Sequence, residues 1–177
     1  MSYIDLCDIV LTVAIHSDGS SKYTSFRKRR SLRLPCHDYS EPRPYHIAWG
    51  TNDRKRLLCR DDLANVVTEC LEAEAARARV DLCAYCVMPD HVHVLLVPRE
   101  GANVVRFTQS VKSRTARAYC MFGGEGKLWQ RGFYDHIVRR EESVLHIAEY
   151  ILANPVRAGL AESARTYPFS RSFLPPT

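Results

Sequence analysis

An α+β domain is what this sequence predicts, and three observations carry that prediction. Strand-like and helix-period runs follow one another in the order β-α-β-β-α-β, with one more helix behind them. The two middle strands are joined by the tight turn Met88-Pro89-Asp90, which makes them a hairpin. No segment repeats another, so the order is a single unit rather than an array. This is the split βαβ, ferredoxin-like plan: a four-stranded antiparallel sheet with helices on one face, followed by a C-terminal helix. The plan hosts many activities and names none of them.

Each element has its own signal. Residues 1–26 offer one strand-like run, DIVLTVAI, and then a Ser/Gly-rich break, and read as an N-terminal extension ahead of a single domain at 27–177. FRKRRSLRLP gathers Arg27, Lys28, Arg29, Arg30 and Arg33, either a solvated charge run or a phosphate contact. YHIAWGTN, from Tyr45, is aromatic and branched and ends in a polar turn. DDLANVVTECLEAEAARA places Leu63, Val66, Val67, Cys70, Leu71 and Ala75 at helical spacing, with Asp61 or Asp62 as the expected cap. VDLCAYCVM and HVHVLLVP are the hairpin strands. ANVVRFTQSVKSRTARAYCMF is a second helix, apolar along Val105, Thr108, Val111 and Ala118 and basic elsewhere; GGEG breaks it. LWQRGFYDHIVR is the fourth strand, and EESVLHIAEYILANP a helix that stops at Pro155.

Composition narrows the class. The 177 residues are 46% hydrophobic and 25% charged, a globular rather than a disordered balance. A net charge of +5 is permissive for nucleic acid without requiring it. Seven cysteines form no regular framework and read as reduced thiols, with Cys83 and Cys86 structural within their strand. No apolar run approaches the roughly 18 residues of a membrane span. Ile9 to Ile15 is too short for one and has no basic residue ahead of it, so no signal peptide is expected and the cytoplasm is.

Three constellations carry chemistry. In PDHVHVLLVP, His91 and His93 stand two apart and so project from one face of their strand. Two imidazoles so placed suit a divalent metal, although buried filler is the commoner role for such a pair. Arg106, Lys112, Arg114 and Arg117 on the second helix, with Arg131 and the Arg27 cluster, outline a basic surface fit for phosphates. In AEYILANP, Tyr150 and Asn154 are four apart and share a helical face, although an aromatic there also serves to anchor the helix. Taken together, a metal on two histidines and an amide oxygen would polarise a phosphodiester, and a nearby tyrosine would attack phosphorus and form a phosphotyrosine.

Four segments resemble a known family in its own order and spacing: RRSLRLPCHDYSEPRPYHI, CVMPDHVHVLLVP, GKLWQRGFYDHIVR and EYILANPVRAGL followed by YPFS. They are similar to the single-tyrosine HUH transposases of bacterial insertion sequences, and most of all to their REP-associated tyrosine branch. The resemblance spans about Arg27 to Ser172 and implies Tyr150 as nucleophile, His91 and His93 as the metal pair, and Asn154 as third ligand. Insertion-sequence relatives typically carry glutamine at that last position. His136 becomes a possible accessory residue, and Tyr134 a rival nucleophile whose plainer role is a strand aromatic. The family further implies Mg²⁺ or Mn²⁺, a single-stranded hairpin DNA such as a repetitive extragenic palindrome, and a nucleoid setting. It also implies a basic stretch that reads a tetranucleotide, and action as a monomer or homodimer. Residues 1–26 have no counterpart in it. The competing reading is a non-catalytic nucleic-acid-binding module in which Tyr45, Trp49 and Tyr85 stack on bases.

Overall fold

The computed structural model describes residues 37–139 and 143–175, so the N-terminal extension and the cluster Arg27, Lys28, Arg29, Arg30 and Arg33 lie outside the described residues. The strands are β1 (Tyr45–Gly50), β2 (Val80–Met88), β3 (His91–Pro98), β4 (Tyr134–Ile137) and β5 (Ser170–Ser172). The helices are α1 (Asp61–Ala78), α2 (Val104–Met121), α3 (Val144–Leu152) and α4 (Asn154–Arg157). The sheet runs β4-β1-β3-β2-β5, every neighbouring pair antiparallel.

Four of these strands make the expected ferredoxin-like order, and β5 is an addition. Its sequence, Ser-Arg-Ser, has no apolar alternation to announce it. It exists because β2 has a free edge: Val87 N–H donates to the Phe169 carbonyl at 2.8 Å and Phe173 N–H to the Cys83 carbonyl at 2.9 Å. Three residues of β2, Ala84 to Cys86, are thereby paired on their outer side, which blunts an exposed edge.

The period of two splits the strand residues into two layers. Tyr45, Ile47, Trp49, Leu82, Tyr85, Val87, Val92, Val94 and Leu96 meet Leu63, Val67 and Leu71 of α1 and Phe107 and Val111 of α2 in the larger core. On the other face Cys86, Met88, Leu95 and Val97 meet Val144, Ile147, Ala148 and Ile151 of α3 in a smaller one. The C-terminal helix therefore covers the face that α1 and α2 leave open. A register shift between Leu82 and Ala84 puts Cys83 and Ala84 in the smaller core together. Cys83 and Cys86 are free and buried, and burial pushes both thiols up to about 12, as befits packing residues.

The helix ends follow ordinary capping chemistry with one correction. The cap of α1 is Arg60, not Asp61 or Asp62. Asp62 instead turns its carboxylate to the Arg60 guanidinium at 2.7 Å and to the Leu63 amide at 2.8 Å. Both aspartates still sit in the first turn, where negative charge suits the helix dipole. Asn103 caps α2 through Val105 N–H and Arg106 N–H, and Ser143 caps α3 through His146 N–H. Pro155 opens α4 one residue inside its start, so the chain breaks at Ala153 between α3 and α4.

Candidate functional site

On β1 the side chains opposite the larger core are His46, Ala48 and Gly50, the alternates of Tyr45, Ile47 and Trp49. The register sets Ala48 beside His93 and Gly50 beside His91 on β3, and His46 beside His136 on β4. A row of imidazoles thus crosses the face that α3 covers. The His91 and His93 ring centroids are 4.8 Å apart, those of His93 and His46 5.2 Å, and those of His46 and Tyr150 6.4 Å. Both members of the predicted pair therefore share a face with Tyr150, and the His46 ring neighbours both His93 and the tyrosine.

Each ring of the pair is held through Nδ1. His91 Nδ1 lies 2.6 Å from Asp90 Oδ1, and the other oxygen of Asp90 accepts from Arg54 Nε at 3.0 Å. His93 Nδ1 lies 3.0 Å from His46 Nε2. His46 Nδ1 is buried without a hydrogen-bond partner. Arg54 reaches Asp90 because Asp53 and Arg54 both take left-handed backbone, with φ of 55° and 56°, a conformation that costs of order 1–3 kcal/mol per non-glycine residue. Thr51 braces that loop, its amide donating to the Asp90 carbonyl at 2.9 Å and its hydroxyl to the Lys55 carbonyl at 2.5 Å. Gly50 leaves the passage: a methyl there would stand 3.2 Å from Arg54 Cδ and 3.2 Å from the Gln130 amide nitrogen.

Burial disfavours the charged form of His46, His91 and His93. Burial, reinforced by His136, lowers His46 to about 4. Burial also lowers His93 well below its ordinary range, helped by His46, His91, Arg157 and Arg54. His91 is lowered by burial against the opposing pull of Asp90. Neutral imidazole is the form that binds metal, and two neutral rings on one rigid strand fit a divalent cation. Among the described residues no group of three or more histidine, cysteine or carboxylate side chains has metal-holding geometry.

Tyr150 is half-buried on α3, and the Arg157 guanidinium lies over its ring, 4.1 Å from the centroid. Asn154 sits at the break between α3 and α4. Its amide nitrogen donates to the carbonyls of Tyr150 and Ile151 at 3.2 and 2.9 Å, and its oxygen accepts from Arg157 at 2.9 Å. In this arrangement Asn154 serves its own helix end and Arg157, rather than facing the histidines. His136 is at the edge of the same face, as is Tyr134, which is 37% exposed opposite Ala48.

The predicted cations sort differently. Arg106, Lys112, Arg114 and Arg117 belong to α2, on the sheet face opposite the histidines. Lys112 donates to the Gln130 and Gly132 carbonyls at 2.7 and 2.6 Å, and Arg114 pairs with the buried Glu74 at 2.8 Å. Those two cations stitch the fold. Arg106, Arg117 and Arg131 are exposed. Sequence reasoning missed His46, Asp90, Arg54 and Arg157. The first had a signal, the alternation of YHIAWG, which leaves His46 on the face away from Tyr45, Ile47 and Trp49. Asp90 sits next to His91 in the turn, whereas Arg54 depends on a left-handed loop that no residue type announces.

Comparison with known proteins places the chain in a family and matches its fold. Residues 42–154 match the family described as "Transposase IS200 like". An uncharacterised protein of Haemophilus influenzae is 27% identical, the match covering 77% of this chain and 94% of that protein. The REP-associated tyrosine transposase of Escherichia coli is 28% identical, over 74% of this chain and 81% of that one. Among solved structures, a REP-associated tyrosine transposase bound to a REP hairpin shares the fold. The TM-score is 0.63 at 21% identity, over 83% of this chain and 81% of the other.

Proposed function

The chain belongs to the family of IS200-like transposases, and we propose that it cuts and rejoins single-stranded hairpin DNA through a covalent bond to Tyr150. The observation that carries this reading is that His91, His93 and Tyr150 share one face of the sheet, with His46 adjoining both His93 and Tyr150. A binding module has no use for that convergence.

In the proposed step the Tyr150 oxygen bonds to phosphorus as the bond from phosphorus to the 3′ oxygen breaks. The phenol gives up its proton and the departing 3′ oxygen ends as a hydroxyl, so charge and atoms balance. The product is a 5′-phosphotyrosine and a free 3′ end, and the reverse step rejoins DNA. The Arg157 guanidinium lies over the ring and steadies it by a cation–π contact. A divalent cation held by His91 and His93 would supply Lewis-acid polarisation of the phosphodiester. Two nitrogen donors suit Mn²⁺ better than Mg²⁺, which prefers an all-oxygen shell.

Asn154 would complete such a site through Oδ1, which Arg157 now occupies. For Asn154 to serve, Arg157 has to let go, and an incoming phosphate is the natural alternative partner for a guanidinium. His136 lies beside His46 and would act on the approach to the site. Repetitive extragenic palindromes are the proposed substrate, in line with the relatives that carry that name. The exposed Arg106, Arg117 and Arg131 would contact hairpin phosphates, and the basic cluster Arg27 to Arg33 would read the flanking tetranucleotide.

The test uses labelled hairpin DNA with Mn²⁺ and a search for a protein–DNA adduct that survives denaturant. We expect an adduct from the native chain, none after chelation, and none from Tyr150→Phe. Cleavage without an adduct would replace the reading with hydrolysis, and binding alone would reduce it to a module.

A further inference from the structure

The outermost atoms of the metal pair are set by two residues that no motif assigns. We propose that Asp90 and His46 are positioning residues for His91 and His93, each occupying Nδ1 so that Nε2 alone is presented to a cation. This rests on the metal reading above and deepens it.

The geometry differs on the two sides. Asp90 stands 2.6 Å from His91 Nδ1, and its second oxygen is held by Arg54 at 3.0 Å. A carboxylate paired with a guanidinium only accepts, so the proton belongs to His91 Nδ1 and the lone pair to Nε2. Carboxylate–histidine pairs of this kind fix ring orientation and raise ligand basicity. On the other ring the partner is neutral. His46 Nε2 meets His93 Nδ1 at 3.0 Å, and for His93 to offer a lone pair at Nε2 this bond must carry its proton on His93, with His46 accepting.

His46 itself points to a role beyond packing. It is 4% exposed, and its buried Nδ1 has no hydrogen-bond partner among the described residues. An unsatisfied buried polar atom costs stability, so a histidine serving the core alone would be better replaced by an apolar residue of similar size. A positioning role predicts that stability and metal affinity move in opposite directions when His46 is made apolar. A structural role predicts that both fall.

The experiment uses the full chain with ¹⁵N-labelled histidine and Mn²⁺ alone as calorimetric probe. In metal-free protein His91 is expected as the Nδ1–H tautomer, and Asp90→Asn should turn it to Nε2–H while His93 resonances stay in place. In Mg²⁺-saturated protein His93 should also read as Nδ1–H. Asp90→Asn and His46→Leu are each expected to weaken Mn²⁺ binding about tenfold to hundredfold. His46→Leu should keep or raise the thermal midpoint. His46→Gln, whose side-chain oxygen can still accept, should recover most of the affinity. Unchanged Mn²⁺ affinity in both Asp90→Asn and His46→Leu would overturn the proposal, as would a wild-type His91 protonated at Nε2. A wild-type chain with the His91 tautomer as stated but no Mn²⁺ binding would support the Asp90 assignment and remove the metal reading instead. Should His46→Leu fail to fold, the contrast between His46→Gln and wild type, with the Asp90→Asn tautomer, still decides.

Discussion

The two faces of the sheet use the same strands for opposite purposes. On the α1/α2 face the alternates of β1 are Tyr45, Ile47 and Trp49, packed against aliphatic and aromatic side chains. On the α3 face they are His46, Ala48 and Gly50, beside His93 and His91. One face maximises apolar contact. The other accepts three depressed imidazoles and a strained loop, while each face buries one unpaired ring nitrogen, Trp49 Nε1 on the first and His46 Nδ1 on the second. The contrast teaches that stability and chemistry are separated here by a single strand's thickness, through side-chain alternation alone.

That separation is open to direct attack. The largest effect should come from Tyr150→Phe: adduct formation falls about a thousandfold or more, while the denaturation midpoint barely moves. Tyr134→Phe, on the same face, should keep the adduct within about threefold; its loss would transfer the nucleophile's role to β4. Next is Phe107→Ala on the opposite face, expected to cost about 3–5 kcal/mol in denaturant titration. The folded fraction should still form adduct at its normal rate, and a selective loss of adduct would show that the faces are coupled.

Acid should discriminate between the faces too. The unfolded chain titrates His46 near 6.5, whereas the folded chain holds it to about 4. Between those values the unfolded state binds the extra proton, so stability present in full above about 6.5 is lost as pH falls toward 4. His91 and His93 shift in the same direction. Denaturation midpoints measured across that window should decline for the native chain and decline less for His46→Leu. A flat native profile would mean that the imidazoles are hydrated. The smallest effect is expected at Arg106. If it lies on the DNA path, Arg106→Ala lowers the salt slope of hairpin binding by about 0.7 and leaves stability alone. Arg114→Ala should do the reverse, since its guanidinium neutralises buried Glu74.

Much of this was legible in the residues. Both hairpin strands begin and end where their alternation says, and α1 spans the run read from Leu63 to Ala75, because period and burial agree there. Strand β5 was hidden because backbone pairing on a free edge asks nothing of Ser170 to Ser172. The site was half legible: His91, His93 and Tyr150 sit in recognisable spacings, and the structure brings them to one face. Their supporting residues were not, since His46 meets His93 only through strand order and Arg54 meets Asp90 only through backbone at positive φ. The cations of α2 show the converse. Lys112 and Arg114 looked like free charge in sequence, and tertiary contacts occupy both.

Gly50 offers a graded control over the site that leaves every ionisable group in place. Adding one methyl would press on the stem of Arg54 and on the side chain of Gln130, both flexible enough to yield by a few tenths of an ångström. The Arg54 grip on Asp90 would loosen by a corresponding amount, and with it the hold on His91. A series of small substitutions at this position would therefore act as a mechanical dial, tuning how firmly one ring is aimed without adding or removing a charge.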